Sequence, residues 1–135
     1  MTEHHLEAVL FDLDGTLLDN DMDVFLPRYL ERLAARVAGM VPPRQFVAHL
    51  LKATQSMTEN DGRATNEEVF AATFYPLIGR PRAEMEPIFM DFYRHDFPAL
   101  RAYTRPIAGA RAAVEAAFER GLDVVIATNP LFPAI

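Results

Sequence analysis

Two spacings of apolar residues divide the chain. Leu6 to Leu13 is an apolar run broken only by Glu7 and Asp12, and Leu122 to Ala127 is a second run, broken only by Asp123. Each is too short to cross a membrane and suits a strand buried on both faces of a parallel sheet. Between them the apolar residues recur at three and four positions for about eighty residues after Asp19, too long for a plain connection. Leu26, Tyr29, Leu30, Leu33 and Val37 share one face of a first helix, opposite Arg28, Glu31, Arg32 and Arg36. Asp21 or Asp23 is its expected cap, and Pro27 is expected only near its first turn. Gly39 should end it, and Pro42-Pro43 should open a second helix with Phe46, Val47, Leu50, Leu51, Thr54 and Met57 on one side. Thr65-x-x-Glu68 is a capping-box signature for a third helix carrying Val69, Phe70, Thr73, Phe74 and Leu77 inward. Pro76 should kink or end that helix, with Gly79 at its exit. A fourth pattern groups Met85, Ile88, Phe89 and Phe92, with Pro87 obscuring its start. Pro98 to Pro106 has no period and reads as a returning linker. A fifth helix follows Gly109, with Ala113, Val114, Ala117 and Phe118 inward and Gly121 as its stop. The order predicts an α/β fold whose sheet is interrupted by a small helical bundle.

Composition narrows the setting. The formal charge is −6, and of 13 basic residues only Lys52 is a lysine, which leaves 12 scattered arginines. That argues against a nucleic-acid surface, where clustered Lys and Arg hold the phosphates. With no cysteine there is neither a disulfide framework nor a thiol nucleophile, as befits a reducing compartment. Met1-Thr2-Glu3-His4-His5 places an acid where a signal peptide carries positive charge. No long apolar segment follows, so the expected location is cytoplasmic, with no membrane partner.

Chemistry gathers where the first run ends, in Asp12-Leu13-Asp14-Gly15-Thr16-Leu17. Residues i and i+2 of an extended backbone face the same side, so Asp12 and Asp14 can address one space beyond the sheet. Gly15 permits a sharp turn and Thr16 offers a hydroxyl that can orient a carboxylate. Phosphoryl transfer through a covalent intermediate needs such parts: a carboxylate nucleophile, a second carboxylate to give and take a proton, and a divalent cation over the collected oxygens. The plainer alternative is an Asp/Gly turn of the kind any α/β domain contains. His49 and His95 have no His or Cys partner at ligand spacing and are expected in surface or satisfied roles. Arg28, Arg32, Arg44 and Arg63 receive no role, because an arginine on a polar helix face is ordinarily solvated.

The hexapeptide resembles the first signature of the haloacid dehalogenase-like superfamily, Asp-x-Asp-x-Thr/Val with apolar neighbours. The resemblance implies that Asp12 is the phosphorylated nucleophile, Asp14 the acid/base, and that Asp12 with the Asp14 carbonyl binds Mg2+. An acid at Asp14 separates it from the dehalogenase branch, from phosphonatases and from transport ATPases, leaving a phosphomonoester hydrolase or a sugar phosphomutase. A response-regulator receiver also gathers acids at strand ends but lacks the Gly-Thr turn and the helical insertion. An apolar strand ending in Thr resembles the second signature, which makes the Thr128 hydroxyl and the Asn129 amide the phosphate-binding groups. A helical insertion between these two signatures is the arrangement of the phosphoglycolate phosphatase-like and phosphoglucomutase-like branch. It implies residues 1–20 and 105–135 as part of a Rossmann-like core and residues 21–104 as a helical cap.

Two further signatures of that superfamily, a lysine and a second acidic pair, follow the second one. The only lysine, Lys52, precedes Thr128 and cannot be that lysine by order. The expectation is therefore a truncated, weakly active or inactive form of a phosphatase, acting on a small phosphorylated metabolite. A mutase or a non-catalytic interaction fragment is the alternative. Strand edges left open would permit self-association.

Overall fold

The computed structural model describes residues 5–128, so Asn129 lies outside the described residues. The elements follow in the order β1 (Ala8–Phe11), β2 (Leu18–Asn20), α1 (Met22–Arg36), α2 (Pro43–Thr58), α3 (Asn66–Ile78), α4 (Arg82–His95), a 3-10 helix (Phe97–Tyr103), β3 (Thr104–Pro106), α5 (Ala110–Glu119) and β4 (Asp123–Ile126). The expected α/β class is observed. Two compact units form: one from residues 5–25 and 101–128, the other from residues 26–100.

In the first unit β1 and β4 run parallel, with Ala8 paired to Asp123 and Phe11 to Ile126. The Ala127 amide donating to the Phe11 carbonyl at 2.8 Å carries the ladder one step further. Burial on both faces is not observed among the described residues. Leu10 and its partner Val125 share one face and are 64% and 45% exposed, whereas Val9, Phe11 and Val124 are half-buried. The helix packed on this sheet is α5, against β4, and one helix covers one face. Phe118 and Ala113, expected inward on α5, are exposed, and Ala117 is the buried position.

The segment expected as a plain linker holds the 3-10 helix and β3. β3 pairs antiparallel with β2, aligning Leu18 with Pro106, Asp19 with Arg105 and Asn20 with Thr104. Arg105 Nε donates to Asp19 Oδ2 at 2.7 Å across this ribbon. Three-residue strands are too short to show a period, which is why the sequence hides them.

The second unit is helical. Asp21 caps α1 by accepting from the Asp23 amide at 3.0 Å, as expected. Thr65 and Glu68 close the capping box on α3: Thr65 Oγ1 accepts from the Glu68 amide at 3.2 Å, and Glu68 accepts from the Thr65 amide at 2.8 Å. Gly79 ends α3 at φ +64°. Gly39 does not act this way; α1 leaves through a turn in which the Val41 amide bonds the Val37 carbonyl. Pro27, Pro76 and Pro87 all lie inside helices; Pro27 stands beyond the first turn of α1, where it is not expected, whereas α3 ends at Ile78, soon after Pro76, as expected. All three prolines are exposed, as are Asp23, Ala72 and Ala83 four residues earlier. Water can thus reach the turn in which a carbonyl loses its donor, which lowers the cost of an interior proline.

Phe46, Phe70, Phe74, Phe89 and Phe92 fill the middle of this unit, none more than 2% exposed. Leu51, expected on the inward face of α2, is 44% exposed, while Ala53 is fully buried in its place. Tyr29 and Tyr93 share a hydroxyl–hydroxyl bond of 2.7 Å beside this core. Burial pushes the Tyr29 hydroxyl up to about 12 and raises Tyr93 as well.

A phenol whose folded pKa exceeds its unfolded value, near 10, holds its proton better in the folded chain. Its stabilisation is complete below pH 10 and is lost as pH rises through the folded value. Denaturant midpoints should thus be level from pH 7 to 9 and fall above pH 10, with Tyr29 contributing on the order of 2 kcal/mol. The Tyr29→Phe chain should fall less steeply; equal slopes would show that this hydroxyl does not drive the loss.

Candidate active site

Asp12 stands one residue beyond β1 and Thr128 two beyond β4, at the carboxyl ends of neighbouring parallel strands. In a parallel sheet that end is where the crevice for a ligand opens. The chain then doubles back on itself. The Leu13 carbonyl accepts from the amides of Thr16, Leu17 and Leu18 at 3.2, 3.0 and 3.0 Å, and the Gly15 amide donates to the Leu18 carbonyl at 2.8 Å. Gly15 sits at φ +77°, and a Cβ built there would meet nothing within 4 Å. Glycine is thus required by the torsion of the turn and not by crowding.

The turn places each candidate differently. Thr16 Oγ1 lies 3.4 Å from Asp12 Oδ2 and donates to it, a long bond between exposed groups that orients the carboxylate only loosely. Asp14 bridges to Leu18, but the bonds of that bridge use the Leu13 carbonyl and the Gly15 amide. No backbone amide among the described residues donates to the Asp14 carbonyl. The Asp14 carboxylate accepts from Asn20 Nδ2 at 2.6 Å. Asp12 and Asp14 are exposed and Thr128 is half-buried.

Sequence reasoning missed Asn20, the last residue of β2. Leu18 and Asn20 are half-buried while Asp19 between them is exposed, so alternation turns Asn20 back toward the loop that carries Asp14. Only the pairing of β2 with β3 reveals that alternation.

The donors fit a hard cation as far as they go. An Asp12 carboxylate and an Asp14 carbonyl left out of the hydrogen-bond ladder are oxygen ligands of the kind Mg2+ prefers. Among the described residues no three His, Cys, Asp or Glu side chains come together to hold a metal, so these donors form a partial set. A cleft of about 250 Å³ lies along the ribbon, lined by Asp19, Asp21, Ala102, Tyr103, Thr104 and Arg105. It excludes Asp12, Asp14 and Thr128, and Arg105 within it is already held by Asp19.

Among the described residues no helix is long and apolar enough to cross a membrane. The profile of the haloacid dehalogenase-like hydrolases matches residues 9–135, a span that contains each of these groups. No curated protein and no solved structure matches the chain.

Proposed function

Because the chain belongs to the haloacid dehalogenase-like hydrolase family, we propose that its site is built for hydrolysis of a small phosphomonoester through an aspartyl-phosphate on Asp12. The observation that carries this reading is the position of Asp12 and Thr128 at the same end of two paired parallel strands. Asp12 attacks phosphorus, and Asp14 gives a proton to the departing alkoxide. Asp14 then takes a proton from the water that cleaves the acyl phosphate. The Thr128 hydroxyl, with the Asn129 amide, donates to the oxygens of the transferring group, while Gly15 and Thr16 hold the turn and orient Asp12. Asp12 and the Asp14 carbonyl are the groups that would hold Mg2+, which supplies positive charge to the collected oxygens.

The helical insertion, expected from the sequence over residues 21–104, is the part we assign as a cap, whose role would be to exclude water and select the leaving group. The substrate class is a small phosphorylated metabolite, and the setting that suits it is cytoplasmic. Self-association would run through the outer edges of β1 and β4, which pair only with each other among the described residues.

The test is acid-quench trapping of a labelled phosphoryl group from an aryl phosphate with Mg2+. The label should sit on Asp12 and be absent from Asp12→Asn. A label elsewhere, or one that survives Asp12→Asn, overturns the reading. Turnover by these 135 residues should fall well below the roughly 1–10³ s⁻¹ common among enzymes. The partial ligand set among the described residues leaves the phosphorylated Asp12 poorly compensated. Steady-state phosphate release within that range would contradict this expectation.

A further inference from the structure

We infer that Asn20 is a positioning residue for Asp14, an inference that rests on the acid/base role proposed above. Two observations carry it, the bond to Asp14 and the unpaired oxygen of the same amide. Asn20 Nδ2 donates to Asp14 Oδ1 at 2.6 Å, a short bond to a charged acceptor of the stronger class. The same amide lies 3.6 Å from the Met22 sulfur, a weak contact that adds little. Asn20 Oδ1 is buried and has no hydrogen-bond partner among the described residues.

The last point separates a role in the site from a role in the fold. A buried amide oxygen without a partner lowers stability, so a side chain chosen only to close the ribbon has no reason to be an asparagine. An amide that must present N–H to Asp14 has that reason, and the unpaired oxygen accompanies the choice. The backbone explains how the contact arises. The turn at Gly15 returns the chain to pair Asp14 with Leu18. Two residues later, Asn20 stands on the same side of β2 as Leu18 and is held there by its pairing with Thr104 on β3. Asp14 is an exposed side chain on a turn, and the Asn20 donor restricts its carboxyl to one position at the mouth of the site. Misplacing a catalytic group by about 1 Å costs on the order of 10²-fold.

The consequence is specific to the leaving group. An aryl oxide leaves with little help from an acid, whereas an alkoxide needs a proton from Asp14. In Asn20→Ala, and in Asn20→Leu, which removes the donor while keeping the bulk and adding no charge, the alkyl-to-aryl ratio of single-turnover rates should fall about tenfold or more. A merely structural loss would lower both rates together and leave the ratio unchanged, which would overturn the inference. The contact is tested independently of activity by the side-chain amide resonances of Asn20 in the full chain. They should shift when Asp14 is changed to Ala, and an unmoved pair overturns the inference whatever the kinetics show. A shifted pair in a chain that never labels Asp12 overturns both the hydrolase reading and the positioning role, and leaves the contact a structural one.

Discussion

In Asp14→Asn, a phosphoryl group from an aryl phosphate should still reach Asp12, but its release as inorganic phosphate should slow by about 10²–10⁴-fold. The two half-reactions ask different things of Asp14. Formation of the acyl phosphate from an aryl ester has a good leaving group, and Asp12 alone supplies the nucleophile. Breakdown needs a base for the attacking water, which an amide cannot be. Asp14→Asn should therefore accumulate labelled protein under acid quench, while Asp12→Asn should show none. The substitution is also conservative for the surroundings, because Asp14 is exposed and an amide oxygen can still accept from Asn20 Nδ2. Equal rates of label loss in the parent chain and Asp14→Asn would remove Asp14 from the acid/base role.

The largest effect on stability is expected at Phe74→Ala, about 3–5 kcal/mol by urea denaturation followed through the helical signal. Phe74 is fully buried and meets Phe46 edge-on at 5.7 Å, Phe70 stacked at 4.9 Å and Phe89 at 6.1 Å. These rings come from α2, α3 and α4, so the cavity would open where three helices meet and could close only by moving all three. Native stabilities run at about 5–15 kcal/mol, and a loss of this size would leave the helical unit barely folded. Leu51→Ala makes the contrast, because Leu51 is 44% exposed and should cost roughly 0.5 kcal/mol or less. A Phe74→Ala cost as small as that of Leu51→Ala would show that the ring cluster does not hold the bundle together.

Legibility followed the range of each interaction. The Thr65–Glu68 box and the αL exit at Gly79 are settled among residues within a few positions of one another, so their signatures could be read directly. The place of Pro27 beyond the first turn of α1 could not. Whether a proline breaks a helix depends on what the orphaned carbonyl meets, and the exposure of Pro27, Pro76 and Pro87 is a property of the packed unit. Leu51 and Phe118 are misassigned for a related reason. Periodicity locates an apolar stripe, but its edges go to core or solvent according to which neighbour arrives. In the candidate site, Asp12, Asp14, Gly15 and Thr16 are adjacent in the chain and were visible as one group. Asn20 was not, because its orientation depends on β3.

The alternation of strand and helix periods, the local caps, the cluster of acids after β1 and, through that cluster, the family were all written in the order of residues. Those features reside in short consecutive stretches, where backbone geometry and side-chain spacing leave few choices. Folding had to supply the register that sets Asp12 and Thr128 at one sheet end, the ribbon joining Asp19 to Arg105 across 86 positions, and the amide that Asn20 presents to Asp14. Pairings across such separations leave no periodic trace in short segments. They form because distant backbone donors and acceptors must find partners when the chain closes on itself.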